Sequence, residues 1–208
     1  MQDPTISLFN SSQQRIGLND NWADAPNAQS IDPALRPTNS TESAILVSLA
    51  PGTYTAIVSG VNGGTGIGLV EAFDLDTTAA SKLTNISTRG VVETGDSVMI
   101  GGFIIKGISS DKVVVRAIGP SLGNPPFSIP NALQDPTLSL FDANGIKFAS
   151  NDDWRSTQEA DIIATGLQPS NNAESAIVTT LMPGSYTAIV RGVNGTTGVA
   201  LVEVYGLN

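Results

Sequence analysis

The chain has 208 residues, of which 40% are hydrophobic and 14% charged, and its net charge at pH 7 is −9. Nucleic acid is bound through clustered Lys and Arg, so ten basic residues scattered along an acidic chain argue against a nucleic-acid partner. Cysteine and histidine are absent, which excludes disulfides, thiolate metal sites and histidine-dependent catalysis, and we expect no enzymatic activity.

A repeat with a constant offset of 132 residues organises the chain. Residues 2–76 align without a gap onto residues 134–208, and 37 of the 75 aligned positions are identical. Such self-similarity indicates the duplication of one structural unit, whose copies bury apolar faces against their neighbours. We therefore distinguish a first copy (2–76), a connecting segment (77–133) and a second copy (134–208).

The first copy has the pattern of an all-β protein. Turn-forming residues separate alternating or β-branched apolar stretches at intervals of roughly 8 to 12 residues. The predicted strands are Thr5–Phe9, Arg15–Leu18, Ser43–Leu49, Thr53–Val61 and Gly66–Phe73. Tyr54, Ala56 and Val58 share one face, which we expect to be the core face.

Positive-φ residues mark the predicted hairpin turns. Asn62-Gly63 in the first copy and Asn194-Gly195 in the second supply the residues that tight hairpins need, and so does Asn144-Gly145. We predict an antiparallel hairpin at each of them.

The connecting segment contains its own apolar stretches. Residues 98–105 and 112–118 are apolar on both faces, which predicts strands at the centre of a sandwich. Neither is long enough to span a bilayer, so we expect no membrane insertion. A segment of this size cannot form a core alone, and we expect 77–208 to form one unit and 2–76 to be half of a preceding one.

The Pro-rich stretch 120–133 is either a semi-rigid spacer or an edge loop.

Two acidic loops, residues 19–22 and 151–154, are the candidate metal sites. Ca²⁺ prefers oxygen ligands from carboxylates, amides and backbone carbonyls in irregular loops. The candidate ligands are Asn19, Asp20, Asn151, Asp152 and Asp153, with Glu42 and Glu174 as distant partners. The alternative is an Asx-turn, in which the short side chains cap their own backbone.

Two tryptophans and two glutamates recur at equivalent positions. Trp22 and Trp154 either offer an aromatic platform for a sugar ring or fill the end of the sandwich. Glu71 and Glu203 are interpreted as solvent-facing or as partners of Arg116 or Arg191, because duplicated positions have no reason to converge into an acid–base pair.

The second copy carries motifs of a known family. "DPTLSLFDANGIKFASNDDW" followed by "LMPGSYTAIVRGVNGTTGVALVEVYGL" resembles the β-sandwich modules similar to bacterial pre-peptidase C-terminal domains. The connecting segment, with "KVVVRAIGPSL", is similar to a companion piece found beside such halves in very large secreted bacterial repeat proteins. The resemblance implies an extracellular, non-catalytic module. In some such modules Ca²⁺ occupies acidic loops, and the resemblance would place it at Asp152 and Asp153 in this chain. The first copy departs from the pattern, because Ser11-Ser12-Gln13-Gln14 replaces the D-x-x-G turn and Asn21 replaces Asp153.

From these observations we expect tandem antiparallel β-sandwich units related by the 132-residue repeat. The expected function is that of a structural or adhesive module on a bacterial cell surface or in the extracellular space. Its partners would be further copies of itself, in a homo-oligomer or head-to-tail filament, or neighbouring repeats. In the alternative, the connecting segment covers both copies at once and the chain is a closed monomer. The alternative is a Ca²⁺-assisted carbohydrate-binding module of a secreted enzyme.

Overall fold

The computed structural model describes residues 1–76, 78 and 81–207. The predicted domain boundary at residue 77 and the last residue of the second copy, 208, lie outside them. The chain divides into two compact units, unit 1 (Met1–Lys82) and unit 2 (Leu83–Asn208). Every pair of neighbouring strands is antiparallel, which confirms the all-β prediction. In the described part of the chain, no helix has the length and apolar character needed to cross a membrane.

Within its described residues, unit 1 contains one three-stranded sheet in the order β2-β1-β3. Its strands are β1 (Pro4–Asn10), β2 (Arg15–Asn19) and β3 (Tyr54–Gly60). Single 3₁₀ turns follow at Trp22–Asp24, Ala28–Ser30, Pro33–Leu35 and Val61–Gly63. The predicted strands at 43–49 and 66–73 are wrong, since these described residues form no strand.

Unit 2 is a β-sandwich of two four-stranded sheets, in the orders β5-β10-β7-β8 and β4-β11-β6-β9. Its elements are β4 (Asn85–Val92), β5 (Met99–Ile105), β6 (Asp111–Ile118), β7 (Pro136–Phe141), β8 (Lys147–Asn151), α1 (Glu159–Ala164), β9 (Ser175–Leu181), β10 (Gly184–Gly192) and β11 (Gly198–Gly206). Buried residues of both sheets, including Leu140 and Val190 from one and Val115 and Val202 from the other, form one core cluster. The connecting segment and the second copy therefore share a hydrophobic core.

The three strands of the connecting segment are distributed over both sheets. β4 and β6 flank β11, while β5 pairs with β10 at the edge of the other sheet. The prediction of a central strand is right for β6, which lies between β11 and β9. It is wrong for β5, whose Ile100 and Ile104 are exposed because they lie on the side of an edge strand that faces away from the core.

The predicted turns have the expected backbone conformation, but the turn at Asn194-Gly195 does not join two paired strands. Asn194 and Gly195 have φ of 53° and 73°. They connect β10 to β11, which belong to different sheets, so the hairpin prediction is wrong here. The chain bends so sharply that a Cβ on Gly192 would lie 2.1 Å from the carbonyl oxygen of Thr196. The hairpin at Gly145, with φ of 74°, is confirmed between β7 and β8.

The Pro-rich stretch packs as an edge loop. Leu122 and Ala132 are buried in a cluster with Ile118, and the backbone N–H of Leu133 donates to the carbonyl of Val199 at 2.8 Å. A semi-rigid spacer between domains would bury neither side chain. The edge-loop interpretation is therefore confirmed.

The tyrosine face of this strand, predicted on Tyr54, Ala56 and Val58, is the core face in unit 2, whereas Ala56 of unit 1 is exposed. Ala188 and Val190 are fully buried, and Tyr186 packs against their cluster with its ring 5.6 Å from that of Phe103. The alternation of this strand thus places the tyrosine side toward the second sheet.

Candidate functional site

The asparagine that opens each acidic loop joins that loop to a distant segment. Asn151 is 6% exposed; its amide oxygen accepts the N–H of Ala176 at 3.0 Å, and its amide nitrogen donates to the carbonyl of Asp153 at 3.0 Å. The same two bonds join Asn19 to the equivalent positions of unit 1, at 2.9 and 3.0 Å. In both loops the amide oxygen therefore accepts the backbone N–H of a residue 25 positions along the chain, which is not the local capping bond of an Asx-turn.

The carboxylates of these loops point to solvent. Asp20, Asp152 and Asp153 are exposed. Partial burial, together with the negative charges of Asp152 and Asp153, raises the pKa of nearby Asp135. Within the described residues, no group of three or more acidic side chains is placed to hold a metal. As arranged, the loops do not form a coordination shell, and calcium binding stays a prediction.

The loop of unit 1 also lines an open cavity of about 400 Å³. Its lining includes Asn19, Asp20 and Asn21 together with residues 44–46. Two of the lining residues, Ala44 and Leu46, correspond to Ala176 and Val178 of unit 2, which pack in a cluster with β6 and α1. The cavity therefore lies beside positions whose counterparts in unit 2 are buried.

The two tryptophans occupy different environments. Trp154 is 1% exposed and packs in the cluster that contains Ile162. Its indole N–H donates to the carbonyl of Asn171 at 3.1 Å, and the guanidinium of Arg155 lies 4.1 Å from its ring centroid. A stacking platform needs an open ring face, which Trp154 does not present. Trp22 is half-buried.

Glu174 is a fully buried carboxylate that binds the connecting segment. Its Oε1 accepts the backbone N–H groups of Gly119 and Ser121 at 3.2 and 2.9 Å, and its Oε2 accepts that of Asn171 at 3.2 Å. The equivalent Glu42 accepts one backbone N–H, at 3.3 Å, through its side chain. Sequence reasoning missed this anchoring role, although the shared Glu-Ser-Ala-Ile sequence was a signal for it.

Glu203 forms an ion pair with Arg116, one of its predicted partners. Its Oε2 accepts the Nε–H of Arg116 at 2.9 Å, and its Oε1 accepts the hydroxyl of Tyr205 at 2.8 Å. Burial, and then the hydrogen bond to Glu203, raises the pKa of Tyr205. Glu71, the equivalent of Glu203, is exposed, and no ion pair involves it among the described residues.

Unit 1 exposes residues whose counterparts form the core of unit 2. Val70 is 46% exposed whereas Val202 is 2% exposed, and Leu49 is 42% exposed whereas Leu181 is 5% exposed. We define the open face of unit 1 as the exposed counterparts of four buried core residues: Leu49, Ala56, Val70 and Ala72. Among the described hydrophobic residues of unit 1, only Ala28 and Ile31 are buried. Large apolar patches of this kind mark interaction surfaces.

Comparison with known proteins assigns no family. No family model matches the chain, and no curated protein matches it. The crystal structure of the pre-peptidase C-terminal domain of collagenase from Bacillus anthracis is similar with a TM-score of 0.36 and 15% sequence identity, over 58% of this chain and 89% of that one.

Proposed function

We propose that this chain is a non-catalytic structural or adhesive module of an extracellular or cell-surface array, built by repeating one 132-residue unit. One observation carries the proposal: Val70, Leu49 and the rest of the open face are exposed in unit 1, whereas their counterparts form the core of unit 2. A module that presents half of a sandwich core is suited to assembly with further copies or with neighbouring repeats.

Assembly of this kind has a defined geometry. A contact between different surfaces of two copies is heterologous, and it propagates as a filament unless its rotation closes a ring. The apolar edges and faces of unit 1 provide the attraction, because burying apolar area is the main favourable contribution to association. Rigidity and repetition, without a reactive site, are then the working properties of the module.

Light scattering and electron microscopy of the purified chain over a concentration series test the proposal. We expect a mass that rises with concentration above the 21.5 kDa of one chain. Val70→Asp places a charge on the open face and should reduce association. Ile108→Asp is the matched control, since it changes the net charge equally at a residue of unit 2 that is 99% exposed. A strictly monomeric mass at high concentration refutes self-assembly of this chain with further copies.

A Ca²⁺-assisted carbohydrate-binding module, bacterial and secreted, is the second candidate. The observation that favours it is that partial burial and the negative charges of Asp152 and Asp153 raise the pKa of Asp135, because a cation is attracted to neighbouring carboxylates. Glycan-array binding in millimolar Ca²⁺ that disappears with chelator would support it. Asp153→Asn, which copies Asn21 of the first loop, is the matched variant and should weaken such binding. Absence of binding to every glycan of the array, both in Ca²⁺ and in chelator, would exclude this candidate.

A further inference from the structure

We infer that the open face of unit 1 is the acceptor for a three-stranded segment of a further repeat, with the sequence and register of residues 83–121. This inference rests on the proposed function and names the partner. We call residues 83–121, which comprise β4, β5, β6 and the start of the following turn, the donor segment. In unit 2 the donor segment supplies three of the eight strands of the sandwich.

The first support is the free edge of β3. Its counterpart β10 pairs with β7 on one side and with β5 on the other, in a register that places Ala188 opposite Gly101. Among the described strands, β3 pairs with β1 alone. Residues 52–58 match the β5-binding residues 184–190 at six of seven positions. The edge that receives β5 in unit 2 is therefore nearly unchanged in unit 1.

The second support is that two segments of unit 1 contain no strand, although their counterparts in unit 2 are strands that pair with the donor segment. β11 lies between β4 and β6, and β9 pairs with β6. Their counterparts in unit 1, residues 66–74 and 43–49, are described and contain no strand. A strand needs a partner for its ladder of hydrogen bonds, so these segments lack the two donor strands that would order them.

The third support is a pair of carboxylates whose partners come from the donor segment in unit 2. Glu203 pairs with Arg116, and Glu174 accepts the N–H groups of Gly119 and Ser121. The counterparts Glu71 and Glu42 are retained in sequence. An additional donor segment would bring a guanidinium to Glu71 and two N–H groups to Glu42.

Counting donors and acceptors identifies the occupant. The chain has one donor segment and two copies that accept it, residues 2–76 and 134–208. Unit 2 already uses the donor segment. Exchanging it between identical chains leaves as many open acceptors as before, so a second copy of this chain does not satisfy unit 1. The partner that does is the donor segment of a further repeat.

The fit depends on a glycine of the donor segment, and this provides a control. A Cβ on Gly101 would lie 3.1 Å from a methyl carbon of Val202, so β5 approaches closely because position 101 has no side chain. Val70 is the counterpart of Val202 in unit 1. Gly101→Val in an added donor segment favours the strand conformation but obstructs this approach, so it separates packing from strand propensity.

The test is a fused chain in which a second copy of residues 77–133 directly precedes Gln2 of the full chain. Because Leu133 precedes Gln134 in the natural sequence, this junction reproduces the natural spacing. Hydrogen exchange is followed at residues 54–60 and 66–74. We expect protection of these amides to rise by about 100-fold or more as they join a cooperative unit. Protection of β10 and β11 in the same sample shows that the fused chain is folded.

Two variants sharpen the result. With Gly101→Val in the added segment only, the gain in protection should fall at least about tenfold. Val70→Ala should have little effect in the parent chain and lower the protection of unit 1 by about tenfold in the fused chain, because Val70 becomes buried only there. If the fused chain is insoluble, refolding the parent chain with a separate 83–121 peptide provides the same readout.

The possible outcomes separate this inference from the proposed function. Unchanged exchange at residues 54–60 and 66–74 overturns the inference, and it does so even if the parent chain self-associates through unit 1. A monomeric parent chain whose unit 1 becomes protected on fusion refutes self-association and supports the donor segment as the partner. Protection that is equal with Gly101 and with Gly101→Val overturns the proposed register.

Discussion

Replacing Val202 by alanine measures how much the second sheet contributes to the core. Val202 is 2% exposed in β11 and belongs to the main core cluster. The substitution removes two methyl carbons, worth about 0.8 kcal/mol each in transfer free energy. The cavity left behind adds about 1 kcal/mol. We therefore expect Val202→Ala to lower the free energy of unfolding of unit 2 by about 2 to 3 kcal/mol.

The same substitution at the equivalent position of unit 1 is the matched comparison. Val70 is 46% exposed, so about half of the transfer term applies and no closed cavity forms. Val70→Ala should cost less than about 1 kcal/mol. The contrast between two identical substitutions at positions 132 residues apart depends only on burial.

Urea unfolding followed by tryptophan fluorescence can resolve the two units. Each unit contains one tryptophan, Trp22 or Trp154, so a Trp22→Phe background leaves Trp154 as the reporter of unit 2. The midpoint should shift for Val202→Ala with an unchanged slope. Equal losses for Val202→Ala and Val70→Ala, each measured in its own unit, would refute the assignment of one face as core and the other as open.

Three further predictions test other contacts. Glu203→Gln should lower the stability of unit 2 by about 2 to 3 kcal/mol because it leaves Arg116 without its carboxylate, whereas Glu71→Gln should change unit 1 by less than about 0.5 kcal/mol in the same urea assay. Gln13, with φ of 58°, occupies the position of the turn glycine of unit 2, and Gln13→Gly should stabilise unit 1 by about 0.5 kcal/mol, so a loss of stability would contradict left-handed strain at this turn. Calcium at a hundredfold excess over its dissociation constant should stabilise unit 2 by roughly 2.7 kcal/mol, with a smaller effect for Asp153→Asn, and equal melting temperatures in chelator and calcium would remove this hypothesis.

Local features of the chain were predictable because few residues decide them. Asn62 and Asn194, both with φ of 53°, adopt the left-handed backbone that an Asn-Gly pair favours in either unit. The strand β9 covers Ser175–Leu181, the residues equivalent to the strand predicted at Ser43–Leu49. The Glu203–Arg116 pair was one of three named alternatives, with solvent exposure and a pair with Arg191, and the sheet register places Arg116 opposite Glu203.

Short elements held by packing were not predictable. The helix α1 has six residues, fewer than local propensity can stabilise in water. Ile162 is fully buried in the cluster with Trp154, and that contact is tertiary. The buried state of Trp154 and the anchoring of Glu174 depend in the same way on residues far along the chain.

By itself, the sequence determined the all-β class, the turn positions and the alternation of faces along each strand, since these depend on backbone preference and on a period of two residues. Only the tertiary structure decided which copies of those faces become core. Val70 and Val202 have the same sequence surroundings, Leu-Val-Glu, yet one is exposed and the other buried. The difference arises because burial and strand pairing are non-local, and the strands of the connecting segment pair with strands of the second copy.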